Sequence, residues 1–85
     1  MKKNDTSIYT LLFKSKSSKE TKEILELVLG TRELDILEKR YLILKMLSEK
    51  KSYVEIMKEV KTSTATIAKV SNSIRKDTFN KYFKR

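Results

Sequence analysis

Apolar residues recur at helical intervals along most of this chain. Ile8, Leu11 and Leu12 share one face with Tyr9 and Phe13 beside them. Residues 4–7, from Asn4 to Ser7, are good N-cap types, so a first helix should begin there and end around 14–17. Ser18 then precedes Lys19, Glu20 and Thr21, and Ile24, Leu25, Val28 and Leu29 repeat at three and four. Gly30, free of the left-handed penalty, should stop this second helix and let a new one start at Thr31. Farther on, Ser52 with Glu55 three residues later opens a short helix over 53–60 with Ile56, Met57 and Val60 inward. The turn Lys61-Thr62 follows, Ser63 caps another helix over about 64–76, and residues 78–83 place Phe79, Tyr82 and Phe83 on one face.

The segment from Thr31 differs from the others. Leu34, Ile36, Leu37, Tyr41, Leu42, Ile43, Leu44, Met46 and Leu47 are apolar around most of the helix circumference, and Lys50 and Lys51 close it with cations at its negative pole. A helix apolar on most sides has to be buried on most sides. A chain of 85 residues has few elements to surround it, so a second copy packed about a two-fold axis is the expected cover.

Composition agrees with an all-α fold. There is no proline, one glycine and an abundance of Lys, Glu, Leu and Ile. Without cysteine or histidine, disulfides, thiolate sites and the commonest metal ligand are absent, so no cofactor and no metal are expected. No apolar run is long enough for a signal sequence or a membrane span, which leads to a cytoplasmic protein without membrane partners. The carboxylates Glu20, Glu23, Glu26, Glu33 and Glu38 sit among lysines at spacings suited to surface pairs, and no nucleophile–base pair or glycine-rich phosphate loop is present, so an enzyme is not expected.

Net charge is informative in its distribution. Of the overall +9, residues 1–19 carry five bases and one acid, residues 20–59 eight bases and nine acids, and residues 60–85 seven bases and one acid. A neutral middle with basic ends suits a scaffold that presents cations to phosphate, although a lysine-rich solvated surface has the same composition.

The segment 53–72 has the offsets of a helix-turn-helix. Ile56 and Val60 face Ile67, Val70 and Ile74 across an apolar seam, and the outer face of the second helix reads Thr64, Ala65, Ala68, Lys69, Asn72, Arg75 and Lys76. Thr and Ala methyls can touch thymine, Asn72 can pair bidentately with adenine, and Lys69 or Arg75 can reach guanine or phosphate. Thr62 and Ser71 complete the candidate DNA-binding set. Lys61 stands where the turn usually has glycine, and Thr62 where it usually has an apolar residue. Two ordinary amphipathic helices in a bundle would show much of the same pattern.

Ala65-Thr66-Ile67-Ala68-Lys69-Val70-Ser71-Asn72-Ser73-Ile74-Arg75 resembles the recognition helix of the tryptophan repressor family. Leu29, Leu37 and Arg40 fall at matching positions upstream if one gap is allowed near 48–51. Lys51-Ser52-Tyr53-Val54-Glu55-Ile56 and the run from Ser63 to Val70 are more similar still to the YerC/YecD-type branch of the Trp repressor-like superfamily. The resemblance implies an intertwined homodimer with about six helices per chain. Residues 1–51 would supply dimerisation helices, 52–76 the helix-turn-helix and 77–85 a short C-terminal helix or tail, all in a single domain. Two heads would enter successive major grooves about 34 to 36 Å apart on a palindromic operator, as a repressor does.

The resemblance also implies an effector pocket built from Arg40, Thr66, Lys69 and Ser73. In the family two arginines stack on the bound indole. Here the second is Lys69, which lacks the planar guanidinium, and the following glycine is Val70, whose branched side chain closes or reshapes the pocket. Tryptophan is therefore not the expected effector, while another small effector stays open. Two other classes also fit the pattern: a helical protein-interaction adaptor, and an RNA-binding protein using the basic tail with Tyr82 and Phe83.

Overall fold

The computed structural model describes residues 7–84, which form five helices: α1 (Ile8–Lys14), α2 (Ser18–Ser48), α3 (Tyr53–Val60), α4 (Thr64–Asn72) and α5 (Lys76–Phe83). No strand occurs among the described residues. The all-α expectation holds. Gly30 breaks α2 into two arms with φ 82° and ψ 167°, and counting the arms separately gives the six helices expected. That conformation is open essentially to glycine alone. A Cβ there would meet only the flexible Glu33 carboxylate at 3.2 Å, so backbone conformation rather than space demands the glycine.

The chain divides into two compact units, residues up to 35 and residues from 36 onward. In the first, the Ser7 side chain accepts the Tyr9 N–H and caps α1. Of the expected cap positions, 4–6 lie outside the described residues. The second helix is capped one residue earlier than expected: Ser17 Oγ accepts the Glu20 N–H at 3.1 Å, and Glu20 Oε1 accepts the Lys16 N–H at 2.9 Å. None of the described residues of this unit is buried. Tyr9, Phe13 and Leu27 are 79, 89 and 88% exposed.

The second unit holds the core. Ile43 from α2, Ile56 and Val60 from α3, and Ile67 and Val70 from α4 are buried together, with Leu44, Met46, Leu47 and Met57 packed around them. The arm of α2 ends at Ser48, short of the expected Lys50–Lys51. The Lys50 N–H bonds to Leu47 O and the Lys51 N–H to Met46 O, with Lys50 left-handed at φ 61°, a Schellman cap formed without glycine. Only Ile43 of this arm is buried. Ile36, Leu37, Tyr41 and Leu42 remain exposed.

The other boundary correction concerns α4. The helix expected over 64–76 is two elements, because α4 stops at Asn72 and Arg75 is already the N-cap position of α5. The Ser73 hydroxyl donates to Val70 O at 2.8 Å, and the Ser73 N–H divides between Lys69 O and Val70 O. Such local bonding by serine competes with continued helix. α5 accordingly begins at Lys76 rather than Thr78.

Candidate nucleic-acid interface

Each end of the α3–turn–α4 segment is fixed by local chemistry. Ser52 Oγ accepts the Glu55 N–H and Glu55 Oε1 accepts the Ser52 N–H, both at 3.1 Å, which completes the expected capping box. The Ser52 N–H bond and then the Ser52 side chain hold the Glu55 carboxyl below its ordinary pKa against the opposing effect of desolvation, with the charge of Lys51 adding a smaller lowering. Lys61 ends α3 in the left-handed region, φ 54° and ψ 58°, with its N–H on Met57 O. The sequence expects glycine there, and the backbone has the conformation that favours it. Ser63 Oγ then accepts the Thr66 N–H at 3.1 Å and restarts the chain as α4.

The packing of α3 on α4 orients the second helix. Ile56 and Ile67 have no exposed surface, and Val60 and Val70 retain 5 and 2%, so α4 cannot turn its Ile67–Val70 face outward without emptying the core. Thr64, Ala65, Lys69 and Asn72 are exposed on α4, while Ala68 and Ser71 are half-buried at the margin. Thr62 is half-buried in the turn and lines a small cavity beneath it. Arg75 and Lys76 are exposed but belong to the start of α5. Ile74 is half-buried and lies beyond α4. The first turn of α4 carries no acid, and Asp77 is the one acidic residue from 60 onward. This surface therefore combines small residues, one amide and several cations with little opposing charge. Lys61, an exposed cation in the turn, belongs with it. The sequence pattern marked Lys61 only as a turn misfit, although its place beside the helix start was visible.

The proposed effector residues separate. The cavity beneath the turn, about 150 Å³, is lined by Ile36, Lys39, Arg40, Ile43, Thr62, Thr66 and Val70, so it brings Arg40 and Thr66 together without Lys69 or Ser73. Arg40 Nη2 donates instead to Ser73 Oγ at 2.8 Å. Both residues line a second, apolar cavity of about 290 Å³ with Phe79, Tyr82 and Phe83 of α5. Phe79 stacks on Phe83 at 5.4 Å between centroids, and Tyr41 lies 5.9 Å from Phe83, while Tyr82 is exposed. Among the described residues no acidic, histidine or cysteine cluster could hold a metal, and no helix is long and apolar enough to cross a membrane.

A short helix, a tight turn and a second helix with an apolar inner seam and a polar outer face are the parts of a helix-turn-helix. A family model for the Trp repressor protein matches residues 4–85, nearly the whole chain. The chain belongs to that family, one of DNA-binding transcription regulators rather than enzymes. No curated protein and no solved structure matches the chain.

Proposed function

We propose that this protein is a cytoplasmic, sequence-specific repressor that binds double-stranded DNA as a homodimer on a palindromic operator, with α4 as its recognition helix. The observation that carries this reading is the α3–α4 seam, which buries Ile67 and Val70 and leaves Thr64, Ala65, Lys69 and Asn72 exposed. In this arrangement Asn72 reads adenine, Thr64 and Ala65 approach thymine methyls, and Lys69 reaches guanine or phosphate. Lys61, Arg75 and Lys76 serve as phosphate contacts that set register.

A second copy supplies what the single chain lacks. None of the described residues up to 35 is fully buried, and within the other unit Ile36, Leu37, Tyr41 and Leu42 are also open to water. Apolar surface on this scale marks interaction sites. No small effector is part of the reading. The cavity that holds Arg40 and Thr66, about 150 Å³, is well under the roughly 300 to 1,000 Å³ usual for ligand pockets and has the Val70 side chain among its walls, and the cavity of about 290 Å³ that holds Arg40 and Ser73 includes neither Thr66 nor Lys69.

Selection of bound duplexes from a random pool tests the proposal directly. A palindromic consensus bound with steep salt dependence is the expected result. Enrichment of no duplex sequence would refute it, and tight binding of single-stranded RNA or of protein alone would favour the other two classes.

A further inference from the structure

We infer that Arg40 is a positioning residue that holds the recognition helix α4 by its C-terminal end. This rests on the DNA-binding reading above and adds how the reading helix is held. Arg40 belongs to α2, outside the helix-turn-helix, and its Nη2 reaches Ser73 Oγ at 2.8 Å across 33 residues of sequence.

Ser73 is not an incidental acceptor. It is the C-cap of α4, its N–H closes onto Lys69 O and Val70 O, and its hydroxyl donates onward to Val70 O at 2.8 Å. The guanidinium thus acts through one hydroxyl on the last turn of α4, where it also lies against the negative pole of the helix. A hydroxyl that accepts from a cation is polarised into a better donor, so the two bonds reinforce one another. Arginine suits this task because its planar, permanently charged fork keeps a fixed direction that a lysine ammonium does not.

The same last turn is fixed from within by Val70, which is 2% exposed. Side-chain packing and the Arg40–Ser73 bond thus hold the last turn of α4 from two sides.

The test uses the full chain and the variants Arg40→Ala, Arg40→Lys, Ser73→Ala, Ser73→Thr and the double alanine. Hydrogen exchange of the free proteins is read first. Removing either partner should raise exchange several-fold at the amides of residues 70–73 and leave those of α3 unchanged. Binding to the selected duplex should weaken about three- to tenfold for each alanine variant, with the double variant no weaker than either single one. Affinity for random duplex and the salt slope should hold. Arg40→Lys should behave like the alanine variant, and Ser73→Thr should retain wild-type behaviour. Unchanged exchange at 70–73, additive losses in the double variant, or a parallel fall in random-duplex affinity and salt slope would each overturn the inference, the last by making Arg40 a phosphate contact. If no duplex is bound by the parent protein while exchange at 70–73 still responds, the DNA reading fails and the brace stands.

Discussion

Lys61 is a non-glycine residue at φ 54° and ψ 58°, and its backbone N–H is committed to Met57 O. For a residue with a Cβ, the left-handed conformation costs about 1 to 2 kcal/mol. Glycine removes that cost but gains freedom in the unfolded chain, which takes back about 0.4 to 1 kcal/mol. Lys61→Gly should therefore stabilise the protein by about 0.5 to 1 kcal/mol, which in a domain of this size raises Tm by roughly 2 to 8 °C. Lys61→Ala keeps the Cβ and removes the same charge, so it should stay within about 0.5 kcal/mol of the parent. Urea and thermal unfolding at one fixed protein concentration give the comparison, because an associating chain has a concentration-dependent Tm. If Lys61→Gly is no more stable than Lys61→Ala, the left-handed strain is not there and the turn geometry is wrong. DNA affinity separates a second effect: it should fall equally in both variants, because each removes the same ammonium from the phosphate-facing turn.

Four further outcomes are expected. Ile67→Ala empties a fully buried site and should cost about 2 to 5 kcal/mol, much of the roughly 4 to 13 kcal/mol total for a chain this long; a loss under 1 kcal/mol in urea unfolding contradicts the core placement. Glu55→Gln should lower stability near neutral pH but not in acid. The folded carboxyl titrates below its unfolded value, so its contribution is complete above the ordinary carboxylate range and disappears as pH falls through the lowered value; a Tm gap that persists in acid assigns the effect elsewhere. Asn72→Ala should relax base preference at one position, whereas Lys76→Ala should weaken all duplexes alike, and identical effects mean that α4 docks differently. Titration with L-tryptophan should leave Tm unchanged, and a saturable micromolar rise would restore a corepressor site.

The parts legible in the sequence are those where one residue type has one structural use. Gly30 marks the break in α2 because its conformation excludes side chains, and Ser52 with Glu55 marks the start of α3 because the box needs both groups at that spacing. The seam Ile56, Val60, Ile67 and Val70 follows from periodicity alone. Periodicity also explains the error at the end of α4. Ile74 continues the apolar spacing from Ile67 and Val70, so the pattern runs on, while the chain is stopped by the hydroxyl and N–H of Ser73, which periodicity does not register. The bond from Arg40 to Ser73 was hidden for another reason, since no local pattern joins residues 33 positions apart. The sequence named both residues for one pocket, and they do line one cavity, but the bond between them was not visible in it.

The early stop of α4 bears on the proposed homodimer. Nine residues at 1.5 Å each give a helix of about 14 Å, and with base pairs about 3.4 Å apart it can address only about four of them. The exposed groups proposed to read bases are Thr64, Ala65, Lys69 and Asn72, of which one hydroxyl, one amide and one ammonium have polar contacts to offer. At about 1 to 3 kcal/mol for each good base contact, one head distinguishes its site from random duplex by only a few kcal/mol. A four-base word recurs throughout any genome, so a single head would be dispersed over competing sites. In the proposed dimer, two heads would read about eight base pairs and add their discrimination, with the spacing between half-sites as a further constraint. A selected consensus with one half-site, bound by a monomer at full affinity, would contradict this and return the exposed apolar faces of α1 and α2 to some other partner.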